Sequence, residues 1–177
     1  MRDLEPVEMT AFVMPEHASS GSWMRAKAVG DGLLAALNSP PVLARIHAAN
    51  QPGNSSEEIQ RAFSAEAERL GFQSEKAGLF QGQSLRPDYF LELGAGEGIL
   101  LEVERGKTTI NNMDLLDFWK CHLCPGANYL FLLVPRRLRQ NAEMRPRNEY
   151  VTVGRRLGQF FEPGNGTNVR GLCLFGY

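Results

Sequence analysis

Residues 86–104 read RPDYFLELGAGEGILLEVE, two apolar runs joined by a glycine-rich linker. The runs span residues 86–93 and 98–104, and their composition and length predict two β-strands. Glycines in the linker, residues 94–98, can adopt the positive φ angles that a hairpin turn requires. The segment therefore predicts a β-hairpin that carries acidic residues inside its strands.

Three acids of this hairpin are expected to converge. Residues two apart in a strand share a face, so Glu102 and Glu104 point the same way. Pairing of Leu93 with Ile99 across the linker sets the register of the two strands. In that register, Asp88 lies opposite Glu104 and diagonal to Glu102.

Such a cluster of acids predicts a cation site. Carboxylates at such short distances repel one another in a partly desolvated site. The fold can hold them together only if a lysine, an arginine or a metal ion compensates their charge. Clustered carboxylate oxygens suit Mg²⁺ or Mn²⁺, and phosphodiester hydrolysis is the obvious use of such an ion. The alternative is a solvated sheet face on which the acids only pair with nearby cations. The acids on that face would be Glu92, Glu102 and Glu104, and the cations Arg86, Arg105 and Lys107.

The segments around the hairpin alternate between helix and strand patterns. From residue 55 the order is a helix ending at Gly71, three strands, a helix, a strand, a helix and a strand. A Ser cap with an acid three residues later, the pattern of a capping box, opens the first of these helices within residues 54–58. The strands are expected at 77–81, 86–93, 98–104, 129–134 and 169–177, and the later helices at 112–120 and 148–161. Met113, Leu116 and Trp119 are expected on one side of helix 112–120. This order predicts an α/β (α+β) fold, a central mixed sheet of four to five strands flanked by helices.

The N-terminal third has a different character. Residues 1–22 show no lasting period and are expected to form an extended or partly mobile arm. Helices are expected at 23–37 and 42–49. The chain is predicted to be one structural domain, with residues 1–54 as an arm and helical extension packed on a core of residues 55–177.

Bulk properties exclude several classes of protein. A chain of 177 residues with 43% hydrophobic and 22% charged residues is typical of a globular domain, neither disordered nor a coiled coil. The longest apolar run is too short to span a membrane and the N-terminus lacks a signal-peptide pattern, so the expected location is the cytoplasm. Cys121 and Cys124 have no second ligand pair for zinc and are expected to be reduced thiols. The glycine linker precedes a strand instead of a helix, which argues against a nucleotide-binding loop.

Arginines are concentrated near the C-terminus although the net charge is only −1. Seven arginines fall within residues 136–156, where Glu143 and Glu149 are the only acids. Such a cluster can hold phosphate groups by bidentate hydrogen bonds. Arg136, Arg137 and Arg139 are the predicted phosphate-binding residues. The alternative is an ordinary solvated face.

Pro87-Asp88, the hairpin, and Glu102-Val103-Glu104 together resemble the signature of the PD-(D/E)XK nuclease superfamily. The order helix, three strands, helix, strand over residues 55–135 matches the restriction-endonuclease-like core of that family. The resemblance implies a metal-dependent endonuclease in which Asp88 and Glu102 bind Mg²⁺ or Mn²⁺. It covers about half of the chain and leaves residues 1–54 unexplained.

The chain departs from the family at Glu104, where a lysine is usual. Some type II restriction endonucleases are similar in having glutamate there, and in several branches a lysine of the following helix takes over. The resemblance thus implies Lys120 as the replacement, with Lys107 second. An acid on the helix before the strands often joins the site in this family, which implies a fourth acid. That acid is Glu57, Glu58 or Glu66, and the sequence does not choose among them.

The resulting hypothesis is a Mg²⁺-dependent nuclease acting on DNA, with Asp88, Glu102, Glu104 and Lys120 as catalytic residues. A chain this short is expected either to form a homodimer across a duplex or to use its N-terminal third for contacts. The alternative is a catalytically inactive nuclease-like module that binds nucleic acid or a protein. The missing motif lysine at Glu104 is the feature that favours this alternative.

Overall fold

The computed structural model describes residues 4–74, 86–106, 108–139, 143 and 145–177. The predicted strand at 77–81 lies outside the described residues, as does Lys107. The helices and strands are, in chain order, β1 (Glu8–Val13), α1 (Gly21–Leu37), α2 (Pro40–Ala49), α3 (Ser56–Arg69), β2 (Gln73–Ser74), β3 (Tyr89–Gly94), β4 (Glu97–Val103), α4 (Met113–Leu123), β5 (Tyr129–Val134), α5 (Glu149–Gly158) and β6 (Gly171–Gly176). Among the described residues, the helices lack the combination of length and apolar composition that a membrane-spanning segment needs.

The described strands form one mixed sheet in the order β1-β6-β5-β4-β3-β2. β4, β5 and β6 run parallel in the middle, and antiparallel pairs flank them on both sides. The predicted α/β class, with a central mixed sheet flanked by helices, is confirmed. The sheet has one strand more than predicted because β1 pairs with β6, so describing residues 1–22 only as an arm was wrong. β1 is an edge strand without a fully buried residue, and its polar and apolar residues do not alternate strictly, so its sequence lacked a strand pattern.

Helices cover both faces of the sheet, so its central strands are apolar apart from Glu97 and Glu102 of β4. On one face, Leu101 and Phe131 pack under α1, α2 and α3. On the other face, Leu100 and Leu132 pack against α4 and α5. Glu102 belongs to this second face, since it follows Leu101 in the alternation of β4.

The hairpin between β3 and β4 closes with a turn of two residues. Ala95 and Gly96 have φ angles of 56° and 73°, the positive values that a type I′ turn requires. The strands therefore extend into the predicted linker, and Leu91 pairs with Ile99. The predicted pairing of Leu93 with Ile99 was wrong by two residues. Continued beyond the pair Tyr89 and Leu101, the observed register sets Asp88 level with Glu102 instead of Glu104.

The turn itself can be tested at Ala95. An L-residue with a side chain is strained by about 1 kcal/mol in this conformation, and asparagine tolerates it better than alanine. Ala95→Asn is expected to raise the free energy of unfolding by about 0.5–1 kcal/mol, measured by urea denaturation. Ala65→Asn on the exposed side of α3 is the matched control and should lower it by about 0.5 kcal/mol. A loss at Ala95 as large as in the control would contradict the assigned turn.

Candidate active site

Glu102 is a buried acid in the middle of the apolar sheet. Its side chain is 3% exposed, and it pairs in register with Leu132 of β5. A carboxylate in such a place is costly unless a charge or hydrogen bonds compensate it. The alternative of a solvated sheet face is therefore wrong for Glu102, although it describes the exposed Glu92 of β3.

Lys120 reaches Glu102 from α4. Its Nζ donates to Glu102 Oε1 at 2.8 Å and to Asp117 Oδ1 at 3.2 Å. The lysine side chain is 18% exposed, so this pairing is largely out of water. Burial alone would lower the pKa of Lys120, but the two carboxylates raise it above its usual value. Lys120 is therefore an ammonium ion at neutral pH.

Asp88 joins the cluster from the segment that leads into β3. Its Oδ2 accepts a hydrogen bond from the backbone N–H of Val103 at 2.8 Å. Gln60 of α3 lines a cavity next to the same carboxylate. Burial raises the pKa of Asp88. The Val103 N–H thus fixes the Asp88 side chain against β4.

Asp117 was missed in the sequence. It is 1% exposed and lies one turn before Lys120 on the same helix. The sequence predicted Leu116 and Trp119 on one side of α4, but these side chains are 54% and 44% exposed, so this is not the side that packs against the sheet. The buried side carries Asp117 and Phe118 instead. The 3.6-residue period of α4 puts acids at positions that would normally be apolar and buried. This feature of the sequence could have revealed Asp117.

Four carboxyl groups lie around the ammonium group of Lys120. They belong to Asp88, Glu102, Glu104 and Asp117. Burial raises the pKa of each of them, and repulsion by neighbouring carboxylates raises those of Glu102 and Glu104 further. The pKa of Glu104 rises to about 8 and that of Asp117 to about 6. Near neutral pH the cluster therefore retains protons that the same groups would release in water.

These raised pKa values predict that stability falls as pH rises. Glu104 has an ordinary pKa of 4.5 and a folded value of about 8, so between them the folded chain binds more protons than the unfolded chain. The free energy of unfolding then decreases with pH across this window. We expect a loss of about 2 kcal/mol between about pH 5 and pH 8, measured by urea unfolding without divalent ions. Glu104→Gln should flatten the profile, and a wild-type stability that increased over this range would contradict the assignment.

Two of the three helix acids proposed as the fourth acid have other partners. Glu58 Oε2 accepts from the backbone N–H of Ser55 at 2.7 Å and so caps α3, as the sequence pattern indicated. Glu66 lies 3.3 Å from Arg45 and 3.3 Å from Arg69. Both acids stabilise α3 and its packing.

Glu57 is the helix acid next to the cluster. It lines a cavity of about 290 Å³ together with Gln60 and Asp88. Its charge also contributes to raising the pKa of Asp88. The role of a fourth acid stays a prediction, and Glu57 is the residue placed to fill it.

The arginines predicted to bind phosphate have mixed surroundings. Arg136 lies 3.1 Å from Glu8, and Arg137 lies 3.1 Å from Glu5. Both therefore connect the segment after β5 to the N-terminal region. Arg139 is exposed. Phosphate binding by these arginines stays a prediction, and it would compete with the two ion pairs.

The oxygen donors of the cluster fit a hard divalent cation. Carboxylate oxygens are the ligands that Mg²⁺ and Mn²⁺ prefer, and Lys120 can offset the charge of only one of the four carboxyl groups when they ionise. Asp117 Oδ2 is buried and accepts no hydrogen bond from an N–H or hydroxyl group of the described residues, while the carboxyl group of Glu104 lies next to Asp117. In the described part of the chain, no group of three His, Cys, Asp or Glu side chains is arranged as a ready-made metal site. An ion would have to draw the carboxylates together in competition with Lys120.

Comparisons with known proteins give only a distant likeness. No family model matches the chain, and no curated protein matches its sequence. Among solved structures, a crystal structure of the restriction endonuclease BglII complexed with a DNA 16-mer is similar over 97% of this chain and 78% of that chain. The sequence identity is 13% and the TM-score is 0.47. At this level the activity of that enzyme is not transferred to this chain.

Proposed function

We propose that this chain is a divalent-metal-dependent nuclease that hydrolyses phosphodiester bonds in DNA. The observation that carries the proposal is the cluster of Asp88, Glu102, Glu104 and Asp117 around Lys120. Buried acids with raised pKa values and a single cation destabilise a fold, so such groups gather mainly where chemistry requires them. This set of carboxylate oxygens is best suited to bind a hard divalent cation, which in turn can bind a phosphate group.

Asp88 and Glu102 would hold the ion, with Glu104 and Asp117 as further oxygen donors. When bound, Mg²⁺ or Mn²⁺ supplies a Lewis acid for a phosphate oxygen and lowers the pKa of water. The chain contributes preorganisation. The N–H of Val103 orients Asp88, and the ammonium group of Lys120 orients Glu102.

Lys120 and Glu104 have different roles in the proposed reaction. Because the pKa of Lys120 is raised, this residue is a fixed positive charge that stabilises the negative charge developing on the phosphate, not a base. Glu104, whose pKa is about 8 in the metal-free chain, is mostly protonated at neutral pH, and a bound cation would lower this pKa so that the carboxylate can accept a proton from water. Glu104 thereby takes the place of the lysine-assisted water activation that the family motif implies.

The test is cleavage together with metal binding. Purified protein is incubated with plasmid DNA, linear DNA or RNA, in Mg²⁺, Mn²⁺ or EDTA. We expect DNA cleavage with either metal and none in EDTA, and calorimetric metal binding that Asp88→Ala abolishes. Glu92→Ala, which removes an exposed acid of the same hairpin, is the matched control and should bind metal as the wild type does.

Two outcomes would count against the nuclease. The proposal fails if the wild type cuts neither DNA nor RNA and shows no metal binding that depends on Asp88. Salt-dependent DNA affinity without cleavage, unchanged by Glu102→Ala, would instead identify a catalytically inactive binding module.

A further inference from the structure

A second group of buried charged residues lies where α4 begins. Asp114, in the first turn of α4, and Glu149, in the first turn of α5, are both buried. Arg156 of α5 joins them. These residues connect α5 to the loop that precedes α4, one turn before Asp117.

Arg156 binds three separate groups at the start of α4. Its Nη1 donates to the carbonyl oxygen of Thr109 at 3.1 Å, and its Nη2 donates to Asn112 Oδ1 at 2.7 Å. Its Nε lies 3.4 Å from Asp114 Oδ2. The planar guanidinium group offers donors in several fixed directions, which a lysine ammonium cannot reproduce.

Glu149 holds the same loop from the other end of α5. Its Oε2 accepts a hydrogen bond from the backbone N–H of Thr109 at 3.1 Å. Glu149 and Arg156 are seven residues apart and therefore share a face of the helix. Both backbone groups of Thr109 are thus bound by side chains of α5.

The first turn of α4 depends on these contacts because it has no side-chain cap of its own. Asn112 is the N-cap residue, but its side chain makes no capping hydrogen bond and accepts from Arg156 instead. Its backbone is left-handed, with φ 56° and ψ 32°. Asparagine adopts this conformation more readily than most residues, yet it still needs support.

We propose that Arg156, assisted by Glu149, is a positioning residue for the nuclease reaction. It fixes the start of α4 and thereby sets where Asp117 and Lys120 stand relative to Glu102. This inference rests on the proposed function, since it names a residue that serves the same site. Arg156 acts through α4 and not by touching the substrate.

Contact with phosphate would be the competing role for an arginine in this part of the chain. The two roles differ in what a conservative substitution does. Arg156→Lys keeps the positive charge that a phosphate contact needs. It loses the planar guanidinium group whose separate N–H donors bind Thr109 and Asn112 at the same time. A positioning residue is therefore poorly replaced by lysine, whereas a phosphate contact is largely preserved.

The kinetic test compares Arg156→Gln and Arg156→Lys with Arg155→Gln, an exposed neighbour on α5 that carries the same charge. We expect kcat to fall about 10- to 100-fold in Arg156→Gln, with KM changed less than about threefold. Arg156→Lys should restore only part of kcat, and Arg155→Gln should behave as the wild type. A raised KM with unchanged kcat, or full recovery with lysine, would overturn the proposal.

Hydrogen exchange tests the same inference without any need for cleavage. Amides of residues 108–123 should exchange at least about tenfold faster in Arg156→Gln, while those of β5 stay as protected as in the wild type. Unchanged exchange in this segment would overturn the proposal. If the wild-type protein cuts no nucleic acid, the proposed nuclease function fails. The exchange rates still show whether Arg156 fixes the start of α4. Should Arg156→Gln not fold, Glu149→Ala removes the acceptor of the Thr109 N–H and the ion pair with Arg147 but leaves the contacts of Arg156, and it should show the same pattern more weakly.

Discussion

Replacement of Lys120 by methionine should lower the free energy of unfolding by about 3–5 kcal/mol near pH 8, since it leaves buried carboxylates without their cation. Lys120 lies 2.8 Å from Glu102 and 3.2 Å from Asp117, and the methionine side chain fills similar space without a charge. The loss should shrink toward about pH 5, where the carboxyl groups take up protons in place of the lysine. Urea denaturation in EDTA at both pH values measures it.

Lys27→Met is the matched control for this experiment. Lys27 pairs with Asp31 one turn away on α1, where the partner is largely exposed. Such a pair contributes little, and the control should cost less than about 0.5 kcal/mol at either pH. If Lys120→Met cost no more than the control, the cluster would not depend on its cation.

Glu102→Gln should lower the rate of metal-dependent DNA cleavage by about 1000-fold while leaving the protein as stable as the wild type near pH 8, or more stable. The amide keeps the shape of the side chain and an oxygen for Lys120, but it removes one of four crowded carboxyl groups and a proposed metal ligand. The pKa of Glu102 is raised well above its usual value by burial and by the charge of Asp117, so loss of this charge relieves repulsion.

Single-turnover cleavage and thermal unfolding of the same Glu102→Gln preparation measure both quantities. Glu92→Gln changes an exposed acid of the same hairpin and should leave both near wild type. A Glu102→Gln variant that was inactive and also strongly destabilised would point to an ordinary structural ion pair. A variant with wild-type cleavage would exclude Glu102 from the reaction.

The order of elements was predictable because it follows from periodicity and from turn residues. The run at Tyr129–Val134 was assigned with its correct bounds, since a short apolar segment stopped by Pro135 favours a buried strand over a helix. The capping box at Ser55 and Glu58 marked the start of α3 in the same way. Lys120 was predicted through the family resemblance, and the structure places it against Glu102.

The register and the full membership of the cluster were not predictable in this way. A five-residue glycine linker is compatible with several turns, and only the conformation of Ala95 and Gly96 fixes the tight one. Asp117 was hidden because a hydrophobic stripe was sought on α4, whereas its buried side is partly acidic. Local pattern rules fail at such a place because they assign buried helix positions to apolar residues, whereas here an acid is buried beside a lysine.

We have proposed that Asp88, Glu102 and their acidic neighbours hold a divalent cation for phosphodiester cleavage. A crystal of the wild-type protein soaked in Mn²⁺ tests this proposal through anomalous difference density at the manganese edge. We expect a peak between the carboxylates of Asp88 and Glu102, absent in a crystal of Asp88→Asn soaked in the same way. Density elsewhere on the protein, or none at the cluster with Lys120 still bound to Glu102, would contradict it.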